Sequence, residues 1–129
     1  MQVRDYMSPA PVTIAANADY KKAFTIMEEE DLHHIPVLDE SETVVGIVTR
    51  RDLQLAARYF HEAPVDVSEV MHTPVVTIAP NADLASAADS MRAEGIGSLP
   101  VCEAGEGELV GIITESDLLR ALSDLLGRG

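Results

Sequence analysis

Val12-Thr-Ile-Ala-Ala-Asn-Ala-Asp19 returns as Val76-Thr-Ile-Ala-Pro-Asn-Ala-Asp83, with seven of eight positions identical at an offset of 64 residues. The same offset sets Met7 on Met71, Met27 on Met91, and Ile35-Pro36-Val37 on Leu99-Pro100-Val101. One inserted residue between Cys102 and Leu109 moves the offset to 65, and Val45-Gly-Ile-Val-Thr-Arg-Arg-Asp-Leu53 then aligns with Val110-Gly-Ile-Ile-Thr-Glu-Ser-Asp-Leu118. Agreement over so much of the chain marks a duplication, which has to be recognised before any single element is assigned. The sequence is one unit written twice, as repeats 1–63 and 64–129.

Reading both copies together assigns the elements. Val12–Ile14 and Val75–Ile78 are short β-branched runs ended by Asn and Asp, the pattern of strands. Tyr20, Phe24, Met27 and Leu84, Ala88, Met91 then recur at helical spacing. Asn17 or Asp19, and Asn81 or Asp83, are caps for those helices; Gly95 is a stop, with Asp31 in its place in the first copy. Ile35–Leu38 with Val44–Thr49, and Leu99–Cys102 with Leu109–Thr114, flank short acidic turns and predict hairpins. A last helix closes each copy, with apolar residues Leu53, Ala56, Ala57, Phe60 and Leu118, Ala121, Leu122, Leu125. The expected fold class is α+β, two β-α-β-β-α repeats joined by the connector His61–Asp66. Each repeat is of a size at which an isolated core is marginal, so the two are expected to form one module.

Composition narrows the function. Nine Lys and Arg against 22 Asp and Glu leave a net charge of −13 over 129 residues, which disfavours nucleic acid or an anionic membrane as the main partner. The lone Cys102 excludes an intrachain disulfide and any multi-cysteine metal site. The start, Met-Gln-Val-Arg-Asp-Tyr, lacks the apolar segment of a signal peptide, and a soluble cytoplasmic protein is expected.

The chemistry concentrates at the junction of the last strand and last helix, where Thr-x-x-Asp occurs as Thr49/Asp52 and Thr114/Asp117. One reading is a capping box, the Thr hydroxyl and the acid each satisfying a backbone N–H. The other is a ligand site: a helix N-terminus offers free N–H groups and partial positive charge, and a carboxylate there accepts from neighbouring sugar hydroxyls. One side chain can do both.

With Met-Ser-Pro and Met-His-Thr-Pro before the first strands, His-Ile-Pro-Val and Ser-Leu-Pro-Val, and Gly-Ile-(Val/Ile)-Thr-x-x-Asp, the chain resembles a tandem pair of CBS domains over roughly 3–60 and 67–126. The resemblance implies repeats related by a pseudo-twofold axis, with two clefts between them. Those clefts take an adenosine compound as regulatory ligand: AMP, ADP, ATP or S-adenosylmethionine. It also implies a homodimer formed through the helices. Carried over by position, the first cleft would use Ile47, Thr49, Arg50, Arg51, Asp52, His33 and His34, facing Met71, Pro74, Val76 and Ser98. The second would use Ile112, Thr114, Ser116, Asp117 and Ser98, facing Met7, Ala10, Val12 and His34.

The copies differ at the charged positions. Arg50-Arg51 becomes Glu115-Ser116, and His33-His34 becomes Gly97-Ser98. Arginine suits phosphate, so the first cleft is expected to prefer a phosphorylated nucleotide. Glu115 would repel anions if it pointed into the second. The four histidines, His33, His34, His61 and His72, lack a metal-binding arrangement, and Cys102 on an apolar strand is expected to be inert. No nucleophile, base and orienting group come together, so no enzyme and no required cofactor are expected. The leading expectation is a sensor module that binds an adenine nucleotide and acts in trans on a regulated protein of unknown identity. The alternatives are a ligand-free dimerisation module and a sensor of S-adenosylmethionine-type ligands.

Overall fold

Val3 and Val67, at matching positions of the two copies, are both fully buried, which removes each lead segment from any reading as a loose tail. Burying one valine is worth about 1.5–3 kcal/mol. A computed structural model of the chain describes residues 1–61 and 63–128; Glu62, within the expected connector, and residue 129 lie outside the described residues. In chain order the strands and α-helices are β1 (Ser8–Pro9), β2 (Ile14–Ala15), α1 (Tyr20–Glu30), β3 (His34–Leu38), β4 (Val44–Thr49), α2 (Arg50–Phe60), α3 (Leu84–Glu94), β5 (Ser98–Cys102), β6 (Leu109–Thr114) and α4 (Glu115–Ser123). Single 3-10 turns at Val3–Asp5 and Val67–Glu69 carry the two lead segments. The fold is mixed α+β with two three-stranded sheets, as the sequence predicts.

The chain divides into two compact units. Unit A is Val12–Val75, and unit B is Met1–Pro11 together with Val76–Gly129. The beginning of each repeat therefore packs with the strands and helices of the other. In unit A, β2 runs parallel to β3 and β3 antiparallel to β4, and His72 pairs with Ile47 on the far edge of β4. In unit B, β1 takes that far edge against β6, with Ser8 opposite Ile112, while β5 pairs with the other side of β6. The plan is the same twice; a bridge in one unit is a short strand in the other.

Two strand assignments change. Val12–Ile14 is realised as Ile14–Ala15, and Val75–Ile78 reduces to one parallel bridge, Ile78 with Val101. β1 has no counterpart among the predicted strands, because two residues ending in Pro9 carry no periodic signal. The hairpins form as expected, the first closed by Asp39, whose Oδ1 accepts the N–H groups of Ser41 and Thr43. Both helix stops adopt the left-handed region, Gly95 at φ 65° and Asp31 at φ 54°. Glycine adopts that region freely, and Asp is among the few residues that also tolerate it.

Each unit has its own core. Unit A buries Tyr20, Ala23 and Met27 of α1 against Ile35, Val37 and Val48, with Leu53, Ala56 and Val67. Unit B buries Leu84, Ala87 and Met91 against Leu99, Val101 and Ile113, with Val3 and Ala121. The apolar stripe predicted for the last helices is only partly inward. Leu53, Ala56 and Ala121 are buried, but Ala57, Leu122 and Leu125 are exposed, and Leu125 lies past the end of α4.

Glycines at the second position of the Val-Gly-Ile strands admit the lead segments. A Cβ at Gly46 would collide with the Met71 side chain and press on the His72 carbonyl. A Cβ at Gly111 would do the same to Met7 and the Ser8 carbonyl. Gly46→Ala and Gly111→Ala are each expected to cost about 1–3 kcal/mol through overpacking. Urea unfolding of each variant against the parent chain measures this.

Candidate functional site

Strand β4 ends at Thr49, whose extended backbone turns directly into α2. The Thr49 N–H donates to Asp52 Oδ2 at 2.9 Å, and the Asp52 N–H donates to Thr49 Oγ1 at 3.1 Å. Unit B repeats the arrangement: the Thr114 N–H donates to Asp117 Oδ2 at 2.9 Å, and the Asp117 N–H donates to Thr114 Oγ1 at 3.4 Å. Both motifs are capping boxes, which satisfy amides that a helix start otherwise leaves orphaned.

The second carboxylate oxygen separates the two. Asp117 is buried, and its Oδ1 accepts from Arg120 Nη1 at 3.5 Å. Arg120 is held in place by its Nη2, which donates to the Tyr6 carbonyl at 2.9 Å, while its guanidinium sits 5.3 Å from the Tyr6 ring centroid. Tyr6 in turn donates its hydroxyl to Asp124 at 2.7 Å; that bond, then desolvation, raise the phenol pKa. Asp52 is half-buried, and its Oδ1 has no partner among the described residues. It lines a groove of about 570 Å³ together with Leu55, Ala56, Arg58, Tyr59, Phe60 and Val70.

The two arginines of the first copy have different tasks. Arg50 folds back over the end of α1, donating from Nη2 to the carbonyls of Leu32 at 3.0 Å and Met27 at 3.4 Å. Its Nε is buried without a hydrogen-bond partner among the described residues. This guanidinium complements the negative end of a helix dipole and is not directed at an external phosphate. Arg51 is exposed and lines an adjoining groove of about 450 Å³ with Phe24, Gln54, Leu55, Ala57 and Arg58. Leu55 and Arg58 line both grooves, so Arg51 and Asp52, adjacent in sequence, border neighbouring parts of one surface.

Unit A brings most of the first residue set onto one body: Ile47, Thr49, Arg50, Arg51, Asp52, His33, His34, Met71 and Pro74. His34 lies opposite Thr49 in the strand register, and the His33 carbonyl accepts the Arg50 N–H at 3.0 Å. Unit B holds Ile112, Thr114, Ser116, Asp117, Ser98, Met7 and Ala10, with Ser98 buried and opposite Thr114. The remaining members, Val76 and Ser98 of the first set and Val12 and His34 of the second, belong to the other unit in each case. The Met7 and Met71 side chains are seated over Gly111 and Gly46. Glu115 turns back over Gly97 at the start of β5. Sequence reasoning missed Arg120, whose position one turn after Asp117 is the only signal that could have found it.

Among the described residues, no group of three His, Cys, Asp or Glu side chains could hold a metal ion, and no helix is long and apolar enough to cross a membrane. Cys102 is buried, and desolvation pushes its thiol pKa up, so little thiolate exists at neutral pH.

The CBS domain family model matches residues 3–58 and 67–124. A CBS domain-containing protein of Dictyostelium discoideum is 33% identical, over 96% of this chain and 92% of that one. An inosine-5'-monophosphate dehydrogenase of Aquifex aeolicus is also 33% identical, over 92% of this chain but only 25% of the enzyme. The CBS domain pair of protein MJ0100, solved in complex with 5'-methylthioadenosine and S-adenosyl-L-methionine, superposes with a TM-score of 0.85 at 26% identity, covering 97% of this chain and 98% of that one.

The geometry predicts that Arg50→Gln lowers stability by about 1–2 kcal/mol, since it uncaps α1. Arg51→Gln, on an exposed side chain, should stay within about 0.5 kcal/mol of the parent. Chemical denaturation of the two variants distinguishes these tasks.

Proposed function

The chain belongs to the CBS domain family, and from that premise we propose that it is a regulatory module that binds an adenine nucleotide and acts on another protein in trans. The observation that carries the reading is the division of labour within Asp52: one carboxylate oxygen closes the capping box, and the other has no partner among the described residues. A carboxylate so fixed is preorganised to accept from the two hydroxyls of a ribose, and charge-assisted hydrogen bonds of this kind are the stronger ones. Arg51, exposed one residue away, supplies the phosphate-binding charge. Glu115 of unit B is turned onto Gly97, so its charge is spent away from the junction.

A second ligand class is favoured at unit B by the residues there. Ser116 stands where unit A has Arg51, and Asp117 is already neutralised by Arg120. That set suits an adenosyl compound without phosphates, the class bound by the MJ0100 pair. The comparison with the dehydrogenase supports a non-catalytic role, because the shared region is a minor part of that enzyme.

Self-association is the second component of the proposal. Leu119 and Leu122 on α4, with Leu125 and Leu126 just beyond it, are exposed large apolar side chains. Stripes of this kind are covered in a homodimer of the module, and size-exclusion chromatography with light scattering should give twice the monomer mass; Leu119→Glu should shift it towards the monomer.

Equilibrium titration with AMP tests the nucleotide reading. Asp52→Ala should weaken binding about tenfold or more, through loss of a charged hydrogen-bond acceptor, with Asp117→Ala far less affected. Equal losses would remove the asymmetry. A melting temperature unmoved by AMP, ATP or S-adenosylmethionine would leave a ligand-free dimerisation module.

A further inference from the structure

Units A and B share one backbone frame where the first helix ends and the last helix begins. In unit A the Leu32 N–H donates to the Met27 carbonyl at 2.9 Å, and the Arg50 N–H donates to His33 at 3.0 Å. In unit B the Ile96 N–H donates to Met91 at 3.1 Å, and the Glu115 N–H donates to Gly97 at 3.0 Å. The frames match bond for bond, but the side chains on them do not. Unit A seats the Arg50 guanidinium on the carbonyls of Leu32 and Met27. In unit B the corresponding carbonyls, of Ile96 and Met91, receive no side-chain donor among the described residues, and the residue in the place of Arg50 is Glu115. The flanks are also cut back, with Ala88 where unit A has Phe24 and Gly97 where it has His33. What remains is a groove of about 360 Å³, lined by these carbonyl-bearing residues, by Glu115 and by Leu118, with the exposed Arg92 on its rim.

We propose that this groove at the C-terminal end of α3 is a receptor site for a guanidinium group supplied from outside the chain. The frame is one that the duplicate copy already uses to hold that group in cis. The α3 carbonyls provide the negative end of a helix dipole, and Glu115 adds a full charge with the geometry for a two-pronged pairing. The floor of Met91, Ile96 and Leu118 accommodates the aliphatic stem that a guanidinium carries. A guanidinium fits better than an ammonium because it is planar and satisfies separated acceptors at once. The site involves neither Asp52 nor Asp117, so it stands or falls independently of nucleotide binding.

The test is a titration of the isotopically labelled full chain with n-butylguanidine, following the amide resonances of Gly95, Ile96 and Gly97, with n-butylamine as the ammonium counterpart of equal charge. n-Butylguanidine should shift these amides saturably and more tightly than n-butylamine. Glu115→Gln should weaken the response about tenfold, by loss of a charge-assisted pair. Glu115→Arg, which restores in cis the arrangement of unit A, should abolish the response and raise the melting temperature. An acetylated Gly-Arg-Gly amide binding more tightly than n-butylguanidine would assign the group to an arginine of a partner protein, and the reverse order to a free guanidino compound; either bears the site out. The proposal is overturned if n-butylguanidine leaves these amides unmoved, or if the parent and Glu115→Gln respond alike. It is equally overturned if binding emerges only in Arg92→Ala, which would make Arg92 the occupant.

Discussion

A carboxylate three residues into a helix has two oxygens, and the helix start needs only one of them. That surplus is the feature on which the account of this chain depends. In both units the acid of Thr-x-x-Asp spends one oxygen on the Thr backbone N–H, which fixes the strand-to-helix turn. The structural use of the motif therefore leaves one oxygen of the side chain for the ligand proposed above. In unit B, Arg120 reaches the remaining oxygen of Asp117; in unit A, that of Asp52 has no partner among the described residues. The Arg120 side of this pair is exposed and its contact is long, so the pair adds little stability.

The duplication explains why the junctions can differ without disturbing the fold. The buried positions correspond between copies: Met27 with Met91, Val37 with Val101, Val48 with Ile113. The exchange of leads repeats as well, with Val3 and Val67 sealing the cores and Met7 and Met71 seated over the strand glycines. Charge has been free to reverse on that shared frame. Glu28 and Arg50 of the first copy face Arg92 and Glu115 of the second in alignment, and the end of α1 gains an internal cation that α3 lacks.

Much of this was legible in the sequence because it is local. Hairpins, the Thr-x-x-Asp boxes and the stops at Asp31 and Gly95 all depend on residues within a few positions of one another. The exchange of leads was not legible, because single bridges such as His72 with Ile47 join segments 25 residues apart without periodicity. The task of Arg50 was hidden for a related reason: its guanidinium acts on carbonyls 18 and 23 residues earlier, while its position at a helix start suggested an anion. The inward and outward faces of the last helices could not be told apart, because apolar residues that cover a core and apolar residues left exposed share one periodicity. Leu122 and Leu125 follow the same spacing as Ala121, yet only Ala121 is buried.

The central claim, that the open oxygen of Asp52 takes a ribose diol, is tested most directly on the ligand side. Calorimetric titration of the unmodified chain with AMP and with its 2',3'-dideoxy analogue changes the hydroxyls and leaves the protein untouched. The account predicts that the analogue binds about tenfold more weakly or worse, the worth of charge-assisted hydrogen bonds to a fixed carboxylate. Equal affinities for the two compounds would contradict it.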